Sequence, residues 1–219
     1  MIKAVIFDLD GTLANTLPLC VAAFRKAVEP FSGTILSDED IVATFGPSEE
    51  GTIMKLIPDH YSEGVEGYIR HYRELHDMCP RPFEGMKEMV RELKSSGLIV
   101  AMVTGKGARS CEITLDRYGM RSLFDHIETG SPEGQRKTEG IRAVLDSFHL
   151  ASMEAVYVGD APSDIEACHR LGVPVVAAAW APTAQPQQLI PLKPHRIFYT
   201  LPEFAAYLNE EVKGCFVSA

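Results

Sequence analysis

Ala4-Val5-Ile6-Phe7-Asp8-Leu9-Asp10-Gly11-Thr12 decides the reading of this chain: an apolar run ends in two carboxylates and a glycine. An apolar run this short, bounded by turn residues, reads as a strand buried on both faces. Residues in a strand rise about 3.3 Å each and alternate ones share a face, so Asp8 and Asp10 can converge about 6 to 7 Å apart. Gly11 lets the backbone turn sharply there. A strand end that opens onto a crevice is where parallel α/β sheets place their chemistry.

The same pattern recurs downstream. Lys3 to Phe7, Leu98 to Val103, His126 to Thr129, Ala155 to Val158 and Val173 to Ala177 read as strands, with a short sixth at Arg196 to Phe198. Between most of them lie helical patterns: Met86 to Ser95 stopped by Gly97, Ala108 to Tyr118 stopped by Gly119, Glu139 to Phe148, and Asp164 to Leu171 stopped by Gly172. This alternation predicts an α/β fold with a Rossmann-like parallel sheet, formed by residues 1–13 and 82–219.

One interruption follows the first strand. Residues 14–81 hold no convincing strand; Leu19 to Val28, Asp38 to Thr44, Glu49 to Leu56 and Tyr61 to Asp77 read as helices, with Ser37 and Ser48 as candidate N-caps. The segment is predicted to be an all-helical domain inserted in the core. Gly11-Thr12-Leu13 and Pro80-Arg81-Pro82-Phe83-Glu84-Gly85 are the expected hinges, because glycines and prolines punctuate both.

Composition narrows the function classes. The 219 residues suffice for one sizeable domain or a core with a smaller insert, and 46% hydrophobic content provides for a real interior. A net charge of −9, with no dense Lys/Arg block, argues against nucleic-acid and membrane-surface roles. No apolar run approaches the length of a membrane span or a signal-peptide core, so a soluble, cytoplasmic protein is expected. Cys20, Cys79, Cys111, Cys168 and Cys215 are widely spaced, without a Cys-x-x-Cys pair, and read as reduced, mostly buried thiols. His71 and His76 are five residues apart, so they do not share a helix face as zinc-protease histidines do.

Polar clusters sit at the other strand ends. Val103-Thr104-Gly105-Lys106-Gly107 gathers a hydroxyl, free backbone N–H groups and an ammonium at a helix N-terminus, which is chemistry for an anion. Val158-Gly159-Asp160-Ala161-Pro162-Ser163-Asp164 adds two carboxylates; its structural alternative is a helix start, capped by Ser163 with Glu166. Lys137 opens the helix after the third strand, where the helix dipole disfavours a cation, which points to another partner for it. A parallel sheet brings Asp8, Asp10, Thr104, Lys137, Asp160 and Asp164 to one carboxyl edge. Two like charges 4 Å apart repel by about 4 kcal/mol at an effective dielectric near 20, so clustered carboxylates call for a cation. Oxygen-only ligands point to Mg²⁺.

In order and spacing these residues resemble the haloacid dehalogenase superfamily over nearly the whole chain. Asp8-Leu9-Asp10-Gly11-Thr12 matches its first motif, Thr104 its second, Lys137 its third, and Gly159-Asp160 through Asp164 its fourth. The insert at 14–81 resembles the type-one helical cap of phosphoglycolate phosphatases, small-molecule pyrophosphatases and β-phosphoglucomutases. The resemblance implies that Asp8 is the nucleophile, forming an aspartyl-phosphate, and that Asp10 protonates the leaving oxygen and later deprotonates water. It implies Mg²⁺ held by Asp8, the carbonyl of Asp10 and Asp160, with Asp164 a direct or water-mediated ligand. Thr104, Gly105 and Lys137 would hold the phosphoryl oxygens. Dehalogenases of the superfamily lack an aspartate at the position of Asp10, so phosphoryl transfer is favoured over carbon–halogen cleavage.

The expected activity is Mg²⁺-dependent hydrolysis of a small phosphorylated metabolite, a phosphoglycolate-like monoester or pyrophosphate, by a monomer or homodimer. A sugar-phosphate mutase and a non-catalytic metabolite-binding protein are the alternatives. Two departures stand out: Thr138-Glu139-Gly140 follows Lys137 where relatives commonly carry prolines, and Asn15-Thr16 stands where many phosphoglycolate phosphatases carry Asp-Ser. Phe45-Gly46-Pro47-Ser48-Glu49-Glu50 resembles the substrate-facing loop of such caps, making Phe45, Gly46 and Glu49 candidate substrate contacts. Lys106 is read as a further substrate contact or as a solvent-facing side chain.

Overall fold

A computed structural model of the chain describes residues 1–213. Cys215 lies outside the described residues; Cys20, Cys79, Cys111 and Cys168 are buried free thiols. Six strands form one sheet: β1 (Ala4–Phe7), β2 (Ile99–Val103), β3 (His126–Glu128), β4 (Ala155–Gly159), β5 (Val175–Ala178) and β6 (Arg196–Phe198). All neighbours run parallel, in the order β3-β2-β1-β4-β5-β6. The chain leaves β1 toward β2 and β3, then returns to place β4 on the other side of β1. The strand order therefore reverses at β1, and the crevice between the carboxyl ends of β1 and β4 is where ligands enter such sheets.

Both faces of the sheet are covered, as the apolar runs require. Val5 and Phe7 point into one cluster with Val100, Met102, Val156 and Val158, whereas Ala4 and Ile6 point into the other with Ala101, Val103 and Tyr157. The first face packs on α5 (Met86–Ser95), α6 (Ala108–Tyr118) and α10 (Leu201–Lys213) through residues such as Met86, Leu115 and Phe204. The second packs on α7 (Lys137–Ser147), α8 (Pro162–Leu171) and the short α9 (Pro186–Leu189) through Ile141, Ile165 and Leu189.

Between β1 and β2 the chain forms α1 (Leu17–Ser32), α2 (Asp38–Val42), α3 (Glu49–Leu56) and α4 (Tyr61–Glu74). Phe24 and Tyr68, with ring centroids 4.5 Å apart, tie α1 to α4. Their apolar faces join the first of the two sheet clusters rather than forming a separate core. The two connections to the sheet touch each other: the Phe83 N–H donates to the Leu13 carbonyl at 3.0 Å. Among the described residues no helix is long and apolar enough to cross a membrane.

Element ends shift where capping competes with periodicity. Helix α1 runs past Val28 to Ser32, through Pro30, and stops at left-handed Gly33. α2 ends at Val42 rather than Thr44, and the predicted helix to Asp77 breaks at Glu74 before a 3-10 turn over His76–Met78. Ser37 caps α2, accepting from the Asp40 N–H at 3.0 Å. Ser48 stands at the N-cap of α3 without capping it; its hydroxyl donates to Glu50 Oε2 at 2.6 Å. α7 runs from Lys137 to Ser147, starting two residues before the Glu139 read from periodicity, and it contains Gly140. A Cβ at Gly140 would lie 2.7 Å from Val103 Cγ1 and 3.1 Å from Glu128 Cβ, so the glycine is what lets α7 press onto β2 and β3.

Candidate active site

The turn after β1 delivers the first two carboxylates to different neighbourhoods. Asp8 is 5% exposed; its Oδ1 accepts from the Leu9 N–H at 2.6 Å and its Oδ2 from Lys137 Nζ at 2.6 Å. Gly11 then adopts φ +75°, the left-handed region, where a Cβ would lie 2.0 Å from Asp160 Oδ2. The turn can therefore close against the β4 loop only with glycine. The Asp10 carboxylate points the other way, accepting from the Thr16 hydroxyl and from Lys106 Nζ at 3.2 Å.

The loop between β4 and α8 supplies two more carboxylates with unequal surroundings. Asp164 is fully buried; Oδ2 accepts from the Ala161 N–H at 2.9 Å, and Oδ1 from Tyr157 Oη at 2.9 Å and from Lys137. It therefore caps α8, which begins at Pro162, in the place that sequence reading offered to Ser163 with Glu166. Asp160 is held more lightly, accepting from the Thr12 hydroxyl at 3.2 Å.

Carboxylate oxygens of Asp8, Asp160 and Asp164 come within 4.8 Å of one another. Asp10 is not in that cluster. Burial pushes the Asp8 carboxyl up to about 6 despite the opposing pull of Lys137. Burial and the charges of Asp8 and Asp164 also hold Asp160 well above the usual carboxylate range. Lys137 is the ammonium inside this group; burial works against its charge, but Asp164 and Asp8 outweigh that and raise its pKa. Three carboxylates facing one ammonium leave the cluster short of positive charge, and an all-oxygen donor set suits a hard divalent cation.

A cavity of about 360 Å³ opens over this group. Asp8, Asp10, Thr104, Gly105 and Asp160 line it from the carboxyl ends of the strands, and Lys137 from the start of α7. Phe45, Gly46 and Glu49 line it from the helical insert, so the candidate contacts of that loop do face it. Asp164 stands behind Lys137 and is not part of the lining.

Lys106 is not solvent-facing. Its side chain is 1% exposed, with Nζ 3.2 Å from Asp10 Oδ1, 3.7 Å from Glu49 Oε1, 3.2 Å from Cys20 Sγ and 4.4 Å from the centre of the Tyr72 ring. Burial disfavours the ammonium, but Asp10 more than compensates and keeps it charged. Glu49, the first residue of α3, reaches across to the start of α6, where it accepts from the Gly107 N–H and the Ser110 hydroxyl. It also accepts from Tyr68 Oη at 3.3 Å. A carboxylate at a helix N-terminus satisfies donors that the helix itself leaves open. Tyr157 and Ser110 were not singled out from sequence, and Thr16 stood out only as half of the Asn15-Thr16 departure; each is a hydroxyl whose partner lies in a separate segment or turn, and no periodicity marks it.

The haloacid dehalogenase-like hydrolase family model matches residues 5–178. Pyrophosphatase PpaX from Bacillus cereus is 30% identical over 181 residues, 82% of this chain and 84% of that protein. A haloacid dehalogenase-like family hydrolase from Streptococcus pneumoniae superposes with a TM-score of 0.77 at 26% identity, covering 94% of this chain and 98% of its own. A hydrolase from Pseudomonas syringae shares the fold with a TM-score of 0.79 at 20% identity, covering 95% and 98%.

Proposed function

This chain belongs to the haloacid dehalogenase-like hydrolase family, and on that premise we propose that it is a Mg²⁺-dependent phosphatase acting on a small phosphorylated metabolite. The observation that carries the reading is convergence: Asp8, Thr104 and Asp160 from the ends of β1, β2 and β4, and Lys137 from the first turn of α7, line one cavity at the switch point of the sheet.

In this reading Asp8 is the nucleophile. One of its oxygens bonds to phosphorus as the bond to the leaving oxygen breaks, giving an aspartyl-phosphate. Asp10, on the cavity side of the same turn, gives its proton to the leaving oxygen and then takes one from the water that cleaves the acyl-phosphate. Its partners Thr16 and Lys106 fix where that carboxyl points. Lys137 holds the phosphoryl oxygens and offsets the charge of Asp8, while the Thr104 hydroxyl and the Gly105 N–H complete the cradle. Mg²⁺, held by Asp8 and Asp160 with Asp164 nearby and the Asp10 carbonyl as a further ligand, would neutralise charge on the nucleophile and the transferring group. Residues 14–81 act as a cap on the core of residues 1–13 and 82–219, swinging on the paired linkers at Leu13 and Phe83 to keep water out until the first step is over.

The test is release of inorganic phosphate from a chromogenic phosphomonoester with Mg²⁺, for the parent and Asp8→Asn. Turnover by the parent and its loss in the variant are expected. Full activity of Asp8→Asn would remove the proposed nucleophile, and no activity of the parent on any phosphorylated compound would favour a binding protein instead.

A further inference from the structure

The helical insert forms the wall that the leaving group must face, because the core edge is taken up by the residues proposed to handle phosphorus. That wall is apolar: Leu17, Phe24, Val42, Phe45, Pro47 and Tyr68 line the cavity. Phe24 stands with its ring centre 5.4 Å from that of Phe45 and 4.5 Å from that of Tyr68, so the aromatic side chains form one continuous face. The charged group that the insert adds to the lining is a carboxylate, Glu49; it contributes no lysine, arginine or histidine there.

Cations lining the cavity all come from the core, and each has a carboxylate partner. Lys106 is enclosed between Asp10 and Glu49, and Lys137 between Asp8 and Asp164. Arg136, at the rim, stands 3.3 Å from Glu128 Oε2. The lining that the core contributes includes the uncharged side chains of Gln185 and Gln188. A leaving group with its own phosphate or carboxylate would thus meet Glu49 and aromatic rings without a free cation. A neutral one would bury apolar surface and exchange hydrogen bonds with amides.

We propose that the leaving group is an uncharged alcohol with an apolar body, so the substrates are phosphate monoesters of neutral alcohols rather than pyrophosphate or acid-bearing phosphates. The inference rests on the phosphatase reading and narrows it to a substrate class.

Specificity constants at saturating Mg²⁺ for propyl phosphate, benzyl phosphate, the matched ester 3-phosphooxypropanoate, phosphoglycolate and pyrophosphate test it. The neutral esters are expected to exceed each acid-bearing compound and pyrophosphate by about tenfold or more, within the range that apolar pockets discriminate. Phe45→Ala should lower the ratio of kcat/KM for benzyl phosphate to that for pyrophosphate about tenfold. Val42→Lys, which sets an ammonium on the apolar wall, should raise kcat/KM for 3-phosphooxypropanoate relative to propyl phosphate. Pyrophosphate or an acid-bearing ester as the best substrate of the parent would overturn the proposal while leaving the phosphatase reading intact. Hydrolysis of none of the five would overturn both.

Discussion

Replacing Lys106 by Met tests whether the insert and the core are joined electrostatically at the site. The variant keeps most of the apolar stem and removes the ammonium that stands 3.2 Å from Asp10 and 3.7 Å from Glu49. Truncating one member of a buried ion pair costs about 3–5 kcal/mol, because the partner charge is left without compensation. The Asp10 side chain keeps 28% of its exposure and is partly screened by water, whereas Glu49 keeps 9%. The lower end, about 3 kcal/mol, is therefore expected. At about 2–4 °C per kcal/mol for a chain of this size, the melting temperature should fall by about 6–12 °C. Urea unfolding followed by circular dichroism, together with calorimetry at pH 7, measures both quantities. Adding Glu49→Gln to Lys106→Met should recover about 1 kcal/mol, since it neutralises one stranded carboxylate while keeping a side chain that can accept from Ser110. A loss below about 1 kcal/mol for Lys106→Met, or strictly additive effects in the double variant, would refute the coupling.

Other perturbations act within the cluster. Gly11→Ala forces a methyl to within 2.0 Å of Asp160 at a φ of +75°, so turnover and Mg²⁺ affinity should both drop, read by phosphate release and by metal titration. Tyr157→Phe removes the hydroxyl that stands 2.7 Å from the Val103 carbonyl and 2.9 Å from Asp164 Oδ1, with its one proton shared between these acceptors; a stability loss of about 1–3 kcal/mol in urea unfolding is expected. Mg²⁺ at about one hundred times its dissociation constant should stabilise the fold by about 2.7 kcal/mol, seen as a thermal shift that a chelator reverses. In chelator, folded Asp8 holds its proton up to about 6, whereas its ordinary value is 3.8. The folded state thus binds more protons across that window, and the Asp8 contribution to stability falls as pH rises through it. Urea midpoints between pH 4 and 6.5 should therefore decline more steeply for the parent than for Asp8→Asn.

Much of the scaffold was legible because its signals are local. The apolar runs of β1, β2 and β4 and the helix stops at Gly97, Gly119 and Gly172 placed the sheet and its covering helices to within a few residues. The helical character of the insert followed from a period of 3.6 residues with no alternating segment. What escaped depended on contacts between distant segments. Nothing around Lys106 marks it as buried; its burial comes from Glu49, 57 positions earlier in the numbering, meeting the start of α6. Gly140 stood out in the sequence only as a departure after Lys137, because its use, close passage over β2 and β3, is a tertiary fact. Asp164 read as one more carboxylate of the set and does lie within 4.8 Å of Asp8 and Asp160; what its spacing did not show is that its oxygens also meet Tyr157, the Ala161 N–H and Lys137. Spacing alone does not distinguish an acid that meets a ligand from one that holds the residue beside it.

The hydrogen bond between Phe83 and Leu13 makes the helical insert leave and rejoin the sheet at a single spot. A segment whose two ends lie side by side can be lengthened, shortened or exchanged for another without altering the register of any strand. Recombination at that junction would hand a lineage a new partner for its phosphate chemistry while the chemistry itself was inherited unchanged.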